Sequence, residues 1–453
     1  MKKSSGRISV LSVAVIFLYI LVTITNYQKY NWSGRWGPFQ YDQFGYYAYL
    51  PALFVYGDLN FDFVKKLPEN EPQIFWPTEV GNGKVVNKYP IGMAVVSGPF
   101  FLMAHYLSPL FSEPQDGFSL LYRIAPYFST LFYLLIALIY QRKILSKYFS
   151  DIVASMALVA TALGTNYYYY TAHEILMSHS VGFCLFTLFI YHSIKWHENH
   201  KPSGILVLSF LLGLITIIRP TNIIIALFFI CYGCQNRKIL SEKIIALWKQ
   251  KIYILMGILV FGLILFPQLY YWKIQTGNWI FYSYGNNEKF YWTDPAIYKG
   301  LFSYQKGWFV YTPMMLFAIT GLYFVYQKQR DFFWPIMVFV IVNVYIVLSW
   351  WSWWYGGGFG LRAFIESEAL LIFGLASLIE FFISLNNKYF KIASITALLG
   401  ITVLNLFQTY QYKRIYIHWE GTTKEMYWQV FGRAKIPSKE LDEIHKKAIT
   451  PTR

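Results

Sequence analysis

The segment Ile91–Phe111, IGMAVVSGPFFLMAHYLSPLF, is apolar enough to cross a bilayer, and its placement decides which side of the membrane every later residue faces. If it crosses, the link QRKILSKYF at 141–149 shares a side with the long loop after the first apolar run, opposite Lys2, Lys3 and Arg7. Cytoplasmic links of helical membrane proteins carry the excess of Lys and Arg, so that threading sets two basic segments against each other. If it does not cross, the links at 141–151, 195–202, 236–251, 327–331 and 386–391 all fall on the N-terminal side. They read QRKILSK, KWHENHK, NRKILSEKIIALWKQK, QKQRD and NNKYFK, and all are basic. The segment itself agrees, since it holds Pro99, Pro109 and His105 and follows Pro90. Proline removes a backbone donor and disrupts a helix interior. Residues 91–111 therefore read as an interfacial or re-entrant helical element.

Composition fixes the class. The 453 residues are 56% hydrophobic and 14% charged, whereas soluble domains carry about a quarter charged residues. Several apolar runs reach the roughly 17–25 residues that a bilayer-spanning helix needs. Aromatics make up 21% of the chain and gather at the ends of these runs, where amphipathic rings favour the interface. The formal charge of +16 forms no single patch, so nucleic acid is not a partner. Cys231 and Cys234 form a CxxC with no second pair to complete a zinc site, and read as small core residues. The N-terminus lacks a small-residue cleavage site and reads as an uncleaved first span.

The expected architecture is an all-α polytopic membrane protein of about eleven transmembrane helices, with a cytoplasmic N-terminus. The spans fall near 8–26, 119–140, 152–169, 179–196, 203–219, 221–235, 252–272, 309–327, 332–350, 365–384 and 389–410. One transmembrane domain covers 1–410, with an external loop at 27–118, and a tail covers 411–453. The tail is net basic yet falls outside, against the charge rule, which long tails obey poorly.

This threading collects four unusual groups on the outer face. The loop 27–118 brings Asp42, Asp58, Asp62, Lys88 and Tyr89; YYYYTAHEILMSHS brings His173, Glu174 and His179; IIRPTN brings Arg219; and WWSWWYGGGFGLR ends in Arg362. Ionisable groups at bilayer depth are costly and mark cavities or pathways. Two arginines facing acids and histidines fit an anionic ligand with a lipid tail, because a guanidinium matches phosphate oxygens. Plainer readings stand beside these. Asp42 also fits a solvated loop, Asp58 and Asp62 also fit turn-shaping roles, and Arg219 before Pro220 also fits a helix cap reaching to headgroups. His173 and His179 lie six apart, which is not the HExxH spacing, so no metal site is assigned. The glycines of YGGGFG lack a strand–turn–helix context and fit close backbone approach beside aromatics.

At these residues the chain resembles the GT-C superfamily of membrane glycosyltransferases, particularly bacterial members near the protein mannosyltransferase-like group. The likeness runs over some 400 residues in a fixed order. It passes through YDQFGYYAYLPALFVYGDLNFD, NKYPIGMAVVSGPFFLMAHYL, GTNYYYYTAHEILMSHSVGF, GLITIIRPTN, LFSYQKGWFVYTP and WWSWWYGGGFGLR. The resemblance implies juxtamembrane helices in the first external loop. It also implies an inverting transfer of a sugar from a polyprenyl-phosphate carrier to a lipid, glycan or protein acceptor at the external face of the cell (inner) membrane. Asp42 falls at the catalytic base; many relatives carry two adjacent acids there, whereas this chain has Asp42–Gln43, which weakens any case for a metal. No cofactor is implied. Arg219 and Arg362 are the candidate phosphate ligands, and Lys88, Tyr89, Glu174, His179 and Asp58 are further substrate-site candidates.

The chemistry is consistent with that. A sugar hydroxyl gains from a carboxylate that takes its proton, and a phosphate leaving group needs preorganised cations. Two alternatives remain open: a transporter or flippase for an anionic lipid or solute, and a glycan polymerase or ligase using a diphosphate-linked donor. Transporters often show inverted repeats, and none is visible in this sequence.

Overall fold

A computed structural model of the protein describes residues 10–29, 39, 41–67, 76–285 and 287–453. Lys2, Lys3 and Arg7, on which the side assignment leaned, lie outside the described residues. The chain is mostly helical. Helix α1 (Val10–Lys29) leads into the first loop, which holds α2 (Tyr41–Tyr47), α3 (Tyr49–Pro51) and α4 (Gly92–Leu107). This agrees with the expected all-α class; within it, the short strands β1 (Pro77–Gly81) and β2 (Lys84–Asn87) pair antiparallel in the same loop. Asn82 and Gly83 both have positive φ at the turn, and Asn-Gly is the strongest short hairpin signal.

The bundle continues with α5 (Leu120–Tyr148), α6 (Asp151–Gly164), α7 (Tyr167–Ala172), α8 (Ser178–Asn199) and α9 (Ser203–Ile218). Next come α10 (Ala226–Cys231), α11 (Arg237–Lys249), α12 (Lys251–Thr276), α13 (Ile297–Phe302), α14 (Trp308–Tyr311) and α15 (Met314–Lys328). It closes with α16 (Arg330–Ser349), α17 (Ile365–Ser384) and α18 (Lys388–Lys413), and the tail holds α19 (Lys424–Val430) and α20 (Ser438–His445). Three expected spans are discontinuous. The 152–169 segment breaks after Gly164, and 309–327 breaks at Thr312–Pro313. The 221–235 segment is a 3-10 turn, Pro220–Ile225, followed by α10, which ends at Cys231. Cys231 and Cys234 are free and half-buried rather than core residues.

Among the described residues six helical stretches are long and apolar enough to cross a membrane: Gly92–Phe111, Leu120–Tyr148, Lys251–Thr276, Arg330–Ser349, Arg362–Ser384 and Lys388–Lys413. Four shorter apolar helices accompany them. The first of the six is the segment that the charge pattern excludes. Both of its ends are tied to the first loop. Its start abuts Tyr89, whose carbonyl accepts from Tyr49, and just beyond its end Gly117 and Asp116 accept from Tyr47 and Tyr56.

The basic links gather at one end of the bundle. Asp151 accepts from the amides of Leu11 and Ser12, satisfying donors at the start of α1 that have no helical partner. Arg142 donates to Ser12, Lys147 pairs with Glu198, and Gln250 donates to the His200 carbonyl. Tyr148 packs on Phe332 beside the Gln235–Asp331 hydrogen bond. At the other end lie Asp42, Arg219, Arg362 and the tail.

Candidate functional site

Asp42 sits in the first turn of α2. One turn later Gly45 leaves no room for a Cβ, which would overlap the Tyr89 ring. That absence lets Tyr89 lie flat on α2, and Asn87 fixes the arrangement by donating to the Gly45 carbonyl at 2.7 Å. The Tyr89 hydroxyl then donates to Asp42 Oδ1 at 2.5 Å. From the far end of the sequence, Arg362 Nη2 reaches Asp42 Oδ2 at 2.5 Å. Burial pushes the Asp42 carboxyl up, but Arg362 and Tyr89 outweigh it and hold it below the usual carboxylate range.

Arg362 follows a glycine-rich loop with several residues in left-handed conformations. Gly356 and Gly360 have φ of 67° and 61°, in the region that L side chains rarely adopt. A Cβ on Gly358 would collide with the Tyr170 hydroxyl. The loop is pinned by Asn166 and Tyr170, which both donate to the Phe359 carbonyl at 3.3 Å. Lys306 donates to the Gly358 carbonyl and, at 2.7 Å, to the Trp419 carbonyl of the tail.

A second charged group adjoins the first. Glu366, one turn beyond Arg362, takes His179 Nδ1 at 3.2 Å and Arg219 Nη1 at 3.6 Å. Arg219 also stacks over Tyr355, with the guanidinium carbon 5.7 Å from the ring centre. Tyr46 lies near enough to Asp42, Arg219 and Arg362 to feel all three charges. Glu366 thus keeps a second partner if Arg219 turns to a ligand.

The remaining candidates divide. Glu174 lies near Arg362 and Asp42 and accepts from the Tyr169 hydroxyl at 3.0 Å; burial raises its carboxyl above the ordinary value against the pull of Arg362. Lys88 pairs with Glu288 at 2.6 Å and faces the Tyr284 ring at the rim of the site. Burial pushes the His173 imidazole down to about 4. Asp58 is not brought in: its carboxylate accepts from the amides of Asn60 and Phe63 and shapes their turn. Asp62 pairs with Lys65 at the surface. The cleft lined by Asn60, Asp62, Lys65, Glu79 and Lys84 lies beside these two acids, apart from Asp42. Among the described residues no three His, Cys, Asp or Glu side chains converge as metal ligands.

Three residues escaped the sequence reading. Glu366 had a signal, an acid at the start of an apolar span. Lys306 had one too, as the lone cation of LFSYQKGWFVYTP. Burial first, and Arg362 second, hold its ammonium down to about 7. Gln43 had none: its side-chain oxygen accepts from the Leu176 amide, tying the first loop to the Glu174 turn. Chemically, the site sets three carboxylates, Asp42, Glu174 and Glu366, beside two guanidiniums in an aromatic setting. No protein-family model and no curated protein matches the chain.

Proposed function

We propose that the protein is a GT-C-like membrane glycosyltransferase of eleven spans, with a cytoplasmic N-terminus and an external site. It moves a sugar from a polyprenyl-phosphate carrier to an acceptor hydroxyl with inversion. The observation that carries this reading is the meeting of Asp42, Arg362 and Arg219 at the bundle end opposite the basic links. Asp42 acts as general base, and the arginines stabilise the phosphate leaving group. Tyrosines around Asp42 offer faces on which a sugar can stack.

The test uses purified protein in liposomes with polyprenyl-phosphate and polyprenyl-diphosphate sugars. Transfer from the monophosphate carrier is expected, and Asp42→Asn should lower turnover by about 10²–10⁴ with donor affinity retained. Asp58→Asn should be milder, since that carboxylate only braces a turn. A fully active Asp42→Asn protein would refute the mechanism. Movement of lipid or solute without covalent transfer would replace it with a transporter.

A further inference from the structure

We propose that Arg362 has a second task in the reaction proposed above, on which this inference rests: it keeps the Asp42 carboxylate occupied until a donor phosphate draws the guanidinium away, freeing the carboxylate for the acceptor's proton.

Both carboxylate oxygens are engaged in the structure, Oδ1 by the Tyr89 hydroxyl and Oδ2 by Arg362, each at 2.5 Å. The groups facing Asp42 are Arg362, Tyr89 and Lys88, with Tyr46, Glu174 and Tyr284 around them. Lys88 is already matched by Glu288. Arg362 is therefore the one cation whose departure changes the field at Asp42 most. Once it leaves, burial and the neighbouring Glu174 both disfavour the anion, and the carboxylate becomes a stronger base. This is the state a general base needs.

Arg362 is also poised to leave. Its Nη1 has the Met177 sulfur at 3.8 Å, a weak acceptor, so donors of the fork remain for phosphate oxygens. A phosphate can be held by two parallel N–H contacts, which the single Nη2 contact to Asp42 does not provide. Arg219 pairs with Glu366, one helical turn beyond Arg362, and both guanidiniums act on Tyr46, so the two can take one phosphate between them.

The steps then balance. Donor binding moves Arg362 to the phosphate. The acceptor oxygen bonds to the anomeric carbon as its proton passes to Asp42, and the bond from that carbon to the phosphate oxygen breaks with its electron pair. The new negative charge on the carrier phosphate is matched by Arg362 and Arg219. When the carrier departs, Arg362 returns to Asp42, lowers its proton affinity and expels the proton to water. One ion pair thus weakens the base before the donor binds and resets it afterwards.

The test is an infrared titration of the full-length protein, following the carboxyl band that Asp42→Asn removes. Polyprenyl phosphate without sugar is the probe. Its addition should raise the midpoint of that band by about 1–3 pH units, the span an adjacent guanidinium commands. Arg362→Gln should start at the higher midpoint and move little on adding the probe. An unchanged or lowered midpoint in the wild-type protein overturns the inference, whatever the variant does. The transfer reading fails separately: a raised midpoint without sugar transfer from the monophosphate donor leaves the exchange standing and removes the glycosyltransferase.

Discussion

Four positions separate Arg362 from Glu366, and that single turn gives the two side chains different partners. Arg362 faces the first loop and Asp42, whereas Glu366 faces α8 and the end of α9, where it holds His179 and Arg219. Glu366 is 2% exposed, so Glu366→Gln takes the carboxylate from the half-buried Arg219 and from the buried His179. Removing one partner of a buried pair costs about 3–5 kcal/mol. The exposed Glu443–Lys446 pair is the control, because surface pairs contribute under about 1 kcal/mol. Thermal unfolding in a fixed detergent should show a clear loss for Glu366→Gln and almost none for Glu443→Gln. Equal losses would mean that Glu366 bears no special burden. Asp42, Arg219 and Arg362 were legible as site candidates because each is a charge in an apolar or aromatic run. Their partners were not, since partner choice depends on which face a turn presents after folding. Asp58 shows the converse: its two amide acceptor contacts lie within five residues, and sequence alone left its role open.

Among the elements, α15 and α17 make the tightest contact, and glycine is the reason. A Cβ on Gly321 or Gly374 would enter the facing backbone carbonyl of Gly374 or Ala318. Small residues that let membrane helices approach this closely are a main source of their association. Gly374→Leu should therefore abolish stable folding, while Gly400→Leu on α18, where a Cβ meets nothing, should be neutral. Monodispersity in size-exclusion chromatography reads the difference, and similar profiles for both would contradict the packing. Helices of this kind were readable from their apolar length, but their interruptions were not. The break at Thr312–Pro313 is met by a tertiary contact, Asn405 donating to the Tyr311 carbonyl at 2.8 Å, and the 3-10 turn after Arg219 closes on local bonds such as the Asn222 amide to the Arg219 carbonyl. The hairpin was missed for another reason. Its Asn82–Gly83 turn is an ordinary local signal, but it sits in a chain whose composition argues for helix throughout.

At the scale of the molecule, the tail packs back on the bundle, which in the proposed topology accounts for its exception to the charge rule. Buried polar residues of α18 dock it: Gln408 donates to Tyr427, and Gln411 donates to the Val430 carbonyl. Its last residue, Arg453, donates to the Trp350 carbonyl at 2.8 Å and lies over Tyr291. Lys306 fastens Trp419 to the loop that delivers Arg362, so the tail belongs to the same end of the bundle as the site. Several of its basic residues are matched within the tail, Arg433 by Glu440 and Lys447 by Glu425. A folded, internally paired segment presents less free positive charge than its composition implies, and it is topology, not residue count, that then sets its side. In the proposed topology 91–111 likewise stays on one side, because both of its ends are tied to one loop. Cysteines placed at the exposed positions Glu79, Gln115, Lys201 and Lys439 test this, in a protein whose Cys184, Cys231 and Cys234 are replaced by alanine. An impermeant thiol reagent on intact cells should label Glu79→Cys, Gln115→Cys and Lys439→Cys, and should reach Lys201→Cys only after permeabilisation. If 91–111 crosses, Glu79→Cys and Gln115→Cys must differ from each other, and Gln115→Cys would then share the behaviour of whichever side lies across the bilayer. That single disagreement would reverse the side assigned to every basic link that follows and carry Arg219 and Arg362 to the face opposite Asp42. Since the structure holds Arg362 2.5 Å from Asp42, the ion pair itself makes matching labels at the two positions the expected result.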